Sequence, residues 1–183
     1  MKEQKLYTLA VLVDNEAGVL SQVSRMFSRK GYNIESLAVG ATSDPATSRI
    51  TIEVICDEEQ VVLLTNQVRK LYPVHSVKLL DSSNSIRREL VMIKVSTPTS
   101  AIRNEIIQIS NIFRANIIDV SIATLTIAMI GDESKINGIE KILKEFEIIE
   151  LVRTGYVALE RGLVSIYEDT KEKGEFNYGK NVL

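Results

Sequence analysis

Asp14-Asn15-Glu16-Ala17-Gly18-Val19-Leu20 is the stretch of this 183-residue chain best suited to binding chemistry. An apolar run, Leu6 to Val13, ends here, and an amphipathic pattern, Val19 to Arg29, begins. A chain turning from strand into helix leaves its first N–H groups without intrahelical acceptors. The helix dipole adds partial positive charge at the same point. A small anion such as a carboxylate suits such a corner. Gly18 has no Cβ and lets a ligand approach the backbone. The short amide of Asn15 can cap the helix or grip a ligand. A free amino acid fits this chemistry. Its carboxylate would accept from the N–H groups around Ala17, Gly18, Val19 and Leu20. Its ammonium would donate to the amides of Asn15 and Asn33, and its side chain would lie against Leu20, Ile34 and Leu37. The same pattern also fits an ordinary capped turn, with Asn33 a turn residue after Gly31. Asn33 opens a second strand, and its own chain need not bring it to the Gly18 corner.

Groups for catalysis are sparse. His75, the sole histidine, reads as a surface or partly packed imidazole. Cys56 is the one cysteine, so no intrachain disulfide forms; it reads as a small buried apolar residue, which suits a reducing cytoplasm. Metal-site spacings of Cys and His are absent, and Gly18 stands alone rather than in a glycine-rich phosphate loop. No catalytic residue and no metal ligand is assigned. A net charge of −2 leaves no electrostatic footprint for nucleic acid or an anionic membrane. The run Arg49 to Cys56 has no aromatic residue on which a base could stack. No apolar run approaches the roughly 18 residues of a bilayer span, and no apolar signal-peptide segment follows Met1 to Lys5. The expected location is cytoplasmic.

The elements that would position the corner can be read from periodicity. Leu20, Val23 and Phe27 mark one helix face, and Gly31 stops the helix. Asn33 to Gly40 and Ser48 to Cys56 read as strands; the second alternates as a half-buried strand does. Asp57 and Gln60 have capping-box spacing ahead of a helix with stripe Val61, Leu64, Val68 and Leu71. Pro73 ends it, and Val74 to Leu80 is a fourth strand. The same order repeats: strand Leu90 to Val95, helix from a Thr99 or Ser100 cap to Phe113, strands Asn116 to Val120 and Ala123 to Ile130, helix Ile136 to Phe146, and strand Ile148 to Leu159 with a bend at Gly155. The fold class is α+β, two ferredoxin-like βαββαβ units. They are expected at 5–81 and 88–162, with a linker at 82–87 and a tail at 163–183. Units this small have modest cores and exposed sheet edges, so pairing, most simply as a homodimer, is expected. In the tail, Glu168 to Lys173 reads as a short helix or as unstructured chain, and Phe176 and Tyr178 either dock or do not.

The run Gly31-Tyr32-Asn33-Ile34-Glu35-Ser36-Leu37-Ala38-Val39-Gly40, with Ser48-Arg49-Ile50-Thr51-Ile52 and Asp14 to Leu20, resembles the ACT domain of acetolactate synthase small, regulatory subunits. Arg88-Glu89-Leu90, Ile112-Phe113-Arg114-Ala115, Ile117-Ile118-Asp119-Val120 and Arg153-Thr154-Gly155 extend the resemblance to about Gly162. It implies an N-terminal ACT domain that binds an effector, with ligand roles at Asn15, Gly18, Leu20, Asn33, Ile34 and Ser36. It further implies side-by-side pairing, each effector lying between the helix corner of one chain and the second strand of the other. The implied function is non-catalytic: activation of the catalytic large subunit and feedback inhibition by valine or another branched-chain amino acid. Cofactors are expected in that partner (thiamine diphosphate, Mg and FAD) and not in this chain. A free-standing amino-acid-sensing ACT protein that controls another enzyme is the alternative.

Overall fold

The structure is a computed structural model and describes residues 3–169. It divides into two compact units. The first holds the described residues up to Ile86 and those from Ala158 onward; the second is Arg87–Val157.

In the first unit β1 (Lys5–Asp14), α1 (Val19–Arg29), β2 (Ser36–Ala41), β3 (Thr47–Cys56), α2 (Glu58–Arg69) and β4 (Val74–Leu80) follow one another. The strands form an antiparallel sheet in the order β2-β3-β1-β4. Both helices pack on one face. Val23 and Phe27 of α1, and Val61, Leu64 and Val68 of α2, meet Leu9, Val11, Ile50 and Ile52 of the central strands. The Asp57 carboxylate accepts from the Gln60 N–H at 2.8 Å, and the Gln60 side chain accepts from the Asp57 N–H at 3.0 Å. That reciprocal cap fixes where α2 starts. Cys56 is 1% exposed, and burial pushes its thiol pKa up, so it stays an inert core residue.

One expectation changes here. β3 is not half-buried: Thr51 and Glu53, on the face away from the helices, are each 3% exposed. That face is covered in part by the returning chain, where Ala158 and Ile166 pack with Ala10, Leu12 and Leu80.

In the second unit β5 (Ser85–Ser96), α3 (Ser100–Ile112), β6 (Asn116–Val120), β7 (Thr124–Gly131), α4 (Glu133–Leu143) and β8 (Ile148–Arg153) repeat the order. The sheet runs β6-β7-β5-β8. Thr99, not Ser100, caps α3 through its hydroxyl, and Asp132 caps α4. Ile106 of α3 and Ile136, Ile139 and Leu143 of α4 pack on Val91, Ile93, Leu125 and Ile127. The single last strand expected from Ile148 to Leu159 is two, β8 and β9 (Val157–Glu160), broken before Gly155, whose φ of 75° a strand does not accommodate. β5 begins at Ser85, and the residues from Ala158 onward make their contacts mainly with the first unit. Ile166–Asp169 forms a short 3-10 helix. The remainder of the expected 168–173 segment, with Phe176 and Tyr178, lies outside the described residues.

Candidate functional site

The N-cap of α1 is Gly18, with φ 87° and ψ −12°, the left-handed conformation that glycine adopts at little cost. A Cβ added there would meet nothing within 4 Å. The constraint is therefore the backbone angle, and the space above the residue is open. No side chain caps this helix, and no acidic residue occupies its first turn. The turn closes through the Gln22 N–H to the Gly18 carbonyl at 3.0 Å and the Val19 N–H to the Glu16 carbonyl at 3.4 Å. The corner presents backbone rather than side-chain donors, with the helix dipole behind them.

Asn15 does not cap the helix. Its Nδ2 donates to the Pro45 carbonyl at 2.9 Å, and its Oδ1 accepts from the Ser48 hydroxyl at 2.9 Å. Its backbone N–H donates to the Ala46 carbonyl at 2.8 Å. The side chain is a brace between the corner and the β2–β3 loop. Asp44 orders that loop from within, accepting from the Thr47 hydroxyl at 2.7 Å and from the Ala46 N–H at 3.0 Å. These two bonds, the hydroxyl's first, hold its carboxyl below the ordinary carboxylate range. The loop's contribution is thus complete above that range and lost as pH falls through the lowered value. At the neighbouring strand end, the Asp14 carboxylate pairs with His75 Nε2 at 2.8 Å. Pairing of a β1 end with a β4 start made this contact, and no local signal in the sequence announces it. We expect Asn15→Ala to loosen the loop and cost about 1 kcal/mol, read by thermal unfolding, and to weaken any ligand held at Gly18.

The remaining candidates stand elsewhere. Ser36 pairs with Glu53 and Ala41 with Ser48 across β2 and β3. The Gly18 corner is tied to Ser48, so Ser36 lies five residues away along β3, about 17 Å at the rise of a strand. The 11 residues of α1 span a similar distance, about 16 Å, and deliver the chain to Asn33 at that far end. Asn15, Ala17, Gly18, Val19 and Leu20 are brought together; Asn33, Ile34 and Ser36 form a second group at the opposite end of the sheet. Asn33 Nδ2 donates to the Glu35 carboxylate at 2.6 Å, leaving its Oδ1 to accept. Val19 is 5% exposed and packs in the core, so it can offer a ligand only backbone, whereas Leu20 is 42% exposed. Ile34 and Leu37 pack partly against the core. A cleft of about 650 Å³ opens at the start of β1 and α2, but Glu3, Asp57, Glu58 and Glu59 line it against one Lys5. That balance repels a carboxylate ligand. No group of His, Cys, Asp and Glu among the described residues could hold a metal ion. No helix among them is long and apolar enough to cross a membrane.

A βαββαβ unit with this glycine corner and an open edge strand is an ACT domain: residues 9–76 match the family model of the AHAS small subunit-like ACT domain. Residues 88–162 match the model described as small subunit of acetolactate synthase. An acetolactate synthase small subunit from Aquifex aeolicus is 43% identical over 166 residues, 91% of this chain and 86% of that one. Another from Mycobacterium leprae is 44% identical over 156 residues, 85% of this chain and 92% of that one. The crystal structure of an acetolactate synthase small subunit from Thermotoga maritima superposes with a TM-score of 0.81 at 34% identity, covering 87% of this chain and 99% of that one. The chain belongs to the acetolactate synthase small subunit family, the regulatory subunits of that enzyme.

Proposed function

We propose that this chain activates the thiamine-dependent catalytic subunit of acetolactate synthase and confers feedback inhibition by a branched-chain amino acid, valine foremost. Thiamine diphosphate, Mg and FAD belong to that partner. One observation carries the effector reading: the two candidate half-sites lie at opposite ends of β2, and β2 is an edge of its sheet. Pairing β2 with β2 of a second copy about a two-fold axis runs the strands antiparallel. The Ser36 end of one chain then meets the Ala41 end of the other, beside that chain's Gly18 corner. Each half-site becomes a whole. Val39 on β2 and Leu20 on α1 are 48% and 42% exposed and lend that edge apolar surface.

The effector's carboxylate accepts from the N–H groups at Gly18, charge-assisted and favoured by the helix dipole. Its ammonium donates to Asn33 Oδ1 of the second copy, with the Glu35 carboxylate adjacent. Its side chain lies on Leu20 and Ile34, and burying a valine-sized group stabilises by roughly 1.5–3 kcal/mol. Binding favours one arrangement of the pair, and the catalytic subunit feels a coupling on the order of 1–3 kcal/mol. The test is calorimetric titration of the purified chain with valine, leucine and isoleucine, alongside sedimentation. The expected result is a dimer that binds one effector per chain. A monomer that takes up none of the three at millimolar levels refutes the reading.

A further inference from the structure

Residues 158–166 form a strap on the face of the first sheet that turns away from α1 and α2. Ala158 and Ile166, each 4% exposed, pack with Ala10, Leu12 and Leu80. Two polar ties add to this small apolar grip. The Arg49 guanidinium donates to the Ala158 carbonyl at 2.6 Å. The Lys78 ammonium pairs with the Glu160 carboxylate, their side chains 17% and 15% exposed. Between strap and sheet remains a cavity of about 290 Å³ lined by Arg49, Lys78, Leu80, Glu160 and Ser165. Burial lowers the Arg49 pKa, and the negative charge of the nearby Glu160 carboxylate opposes that shift.

Arg49 directly follows Ser48 on β3. Ser48 holds Asn15, the brace of the Gly18 corner, at 2.9 Å. Successive side chains of a strand point to opposite faces. One peptide unit thus joins the corner's brace on the helix face to the strap on the other. β9 also pairs with β5, and the Arg161 N–H donates to the Asn84 carbonyl at 3.0 Å. Besides these, two apolar anchors, one guanidinium and one ion pair hold the strap to this face, contacts that open locally at a lower free-energy cost than the core. The strap supplies the two-state element that coupling between sites needs.

We propose that Arg49 is a positioning residue that couples occupancy of the Gly18 corner to docking of the strap, and that the strap carries the effector's signal towards the catalytic subunit. The proposal rests on the effector reading above. The test uses the holoenzyme reconstituted from the small subunit and its catalytic partner, with L-valine as probe. Arg49→Met is expected to keep the uninhibited activity and the valine stoichiometry of the small subunit, while residual activity at saturating valine rises about fivefold, the low end of ordinary allosteric couplings. Arg49→Lys, which keeps a donor for the Ala158 carbonyl, is expected to restore most of the inhibition. Glu160→Gln leaves β3 untouched and is expected to shift residual activity in the same direction by less. Wild-type residual activity in Arg49→Met overturns the proposal, and so does loss of valine stoichiometry in step with inhibition. If Arg49→Met fails to fold, wild-type residual activity in Glu160→Gln overturns it. Failure of the wild-type chain to bind valine refutes the effector reading itself, and the coupling falls with it.

Discussion

Gly18→Asp is expected to abolish valine inhibition while leaving activation of the catalytic subunit intact. The side chain would extend into open space, since a Cβ at this position meets nothing within 4 Å. It would set a carboxylate where the proposed site holds the effector's own carboxylate. Like charges brought together at a binding site cost several kcal/mol, so the dissociation constant should rise about 100-fold or more. The substitution also forces a non-glycine residue to φ 87°, a strain of roughly 1–2 kcal/mol. Gly18→Ala carries the same strain without the charge and separates the two effects. It is expected to lower thermal stability at least as much as Gly18→Asp, whose short carboxylate suits a left-handed N-cap better, and to weaken valine binding far less. Equal losses in both variants, measured by calorimetry, would assign the effect to backbone strain and remove the argument for a carboxylate at this corner.

Arg153→Met is expected to be the most destabilising change among the charged residues described in the second unit. The Glu89 side chain is 1% exposed, and Arg153 grips it with two nitrogens, Nε at 3.1 Å and Nη2 closer still. Arg153 also reaches Glu140 at 3.6 Å and the Tyr156 hydroxyl at 3.4 Å. Removing the guanidinium strands a carboxylate that the fold has taken out of water. Breaking a buried pair in this way costs 3–5 kcal/mol; with Arg153 one-third exposed the lower end, about 3 kcal/mol, is expected. Denaturant unfolding followed on the second unit's own signals is the measurement. The double variant Glu89→Gln with Arg153→Met should recover part of the loss, because no buried charge is then left alone. Tyr156 belongs to the same cluster. Burial first, and then the Glu89 carboxylate, hold its phenol pKa above the ordinary value. Its folded-state value is raised above the unfolded one, so its contribution is complete below about pH 10 and is lost as pH rises beyond that. Unfolding titrations at alkaline pH should show that loss in wild type and not in Tyr156→Phe.

Much of this architecture was legible because local rules and burial agreed. The Asp57–Gln60 spacing named a helix start that carries both bonds of a capping box. The stripes Val23–Phe27 and Val61–Leu64–Val68 became the core of the first unit. Gly18 stood out in sequence as a lone glycine at a strand-to-helix turn, and it takes the positive φ that such a turn demands. What escaped had long-range causes. Arg49, Thr51 and Glu53 read as a solvent face because alternation reports one buried face. The segment that covers the other lies about 110 residues further along the chain, as the Arg49–Ala158 bond shows. Gly155 was visible as a bend, and after it β9 pairs with β5, the same strand that β8 pairs with, while its Ala158 packs with Ala10, Leu12 and Leu80 of the first sheet. Asn15 read equally as a cap or a ligand. Pro45, Ala46 and Ser48 decide its role, and no pattern within one strand or helix contains all of them. The separation of Asn33 from Gly18 follows from the length of α1, and it is the reason we propose two half-sites rather than one pocket within a chain.

A mixing experiment tests most directly whether two chains complete each effector site. Gly18→Asp repels the carboxylate at one half-site, and Asn33→Lys sets a cation against the ammonium at the other. Neither variant alone should bind valine. Mixed one to one and allowed to exchange, half of the dimers are hybrids. Each hybrid holds one site built from two intact halves, so about a quarter of the wild-type stoichiometry should return in a calorimetric titration. If the mixture binds no more valine than either variant alone after exchange has been confirmed, the shared site is contradicted.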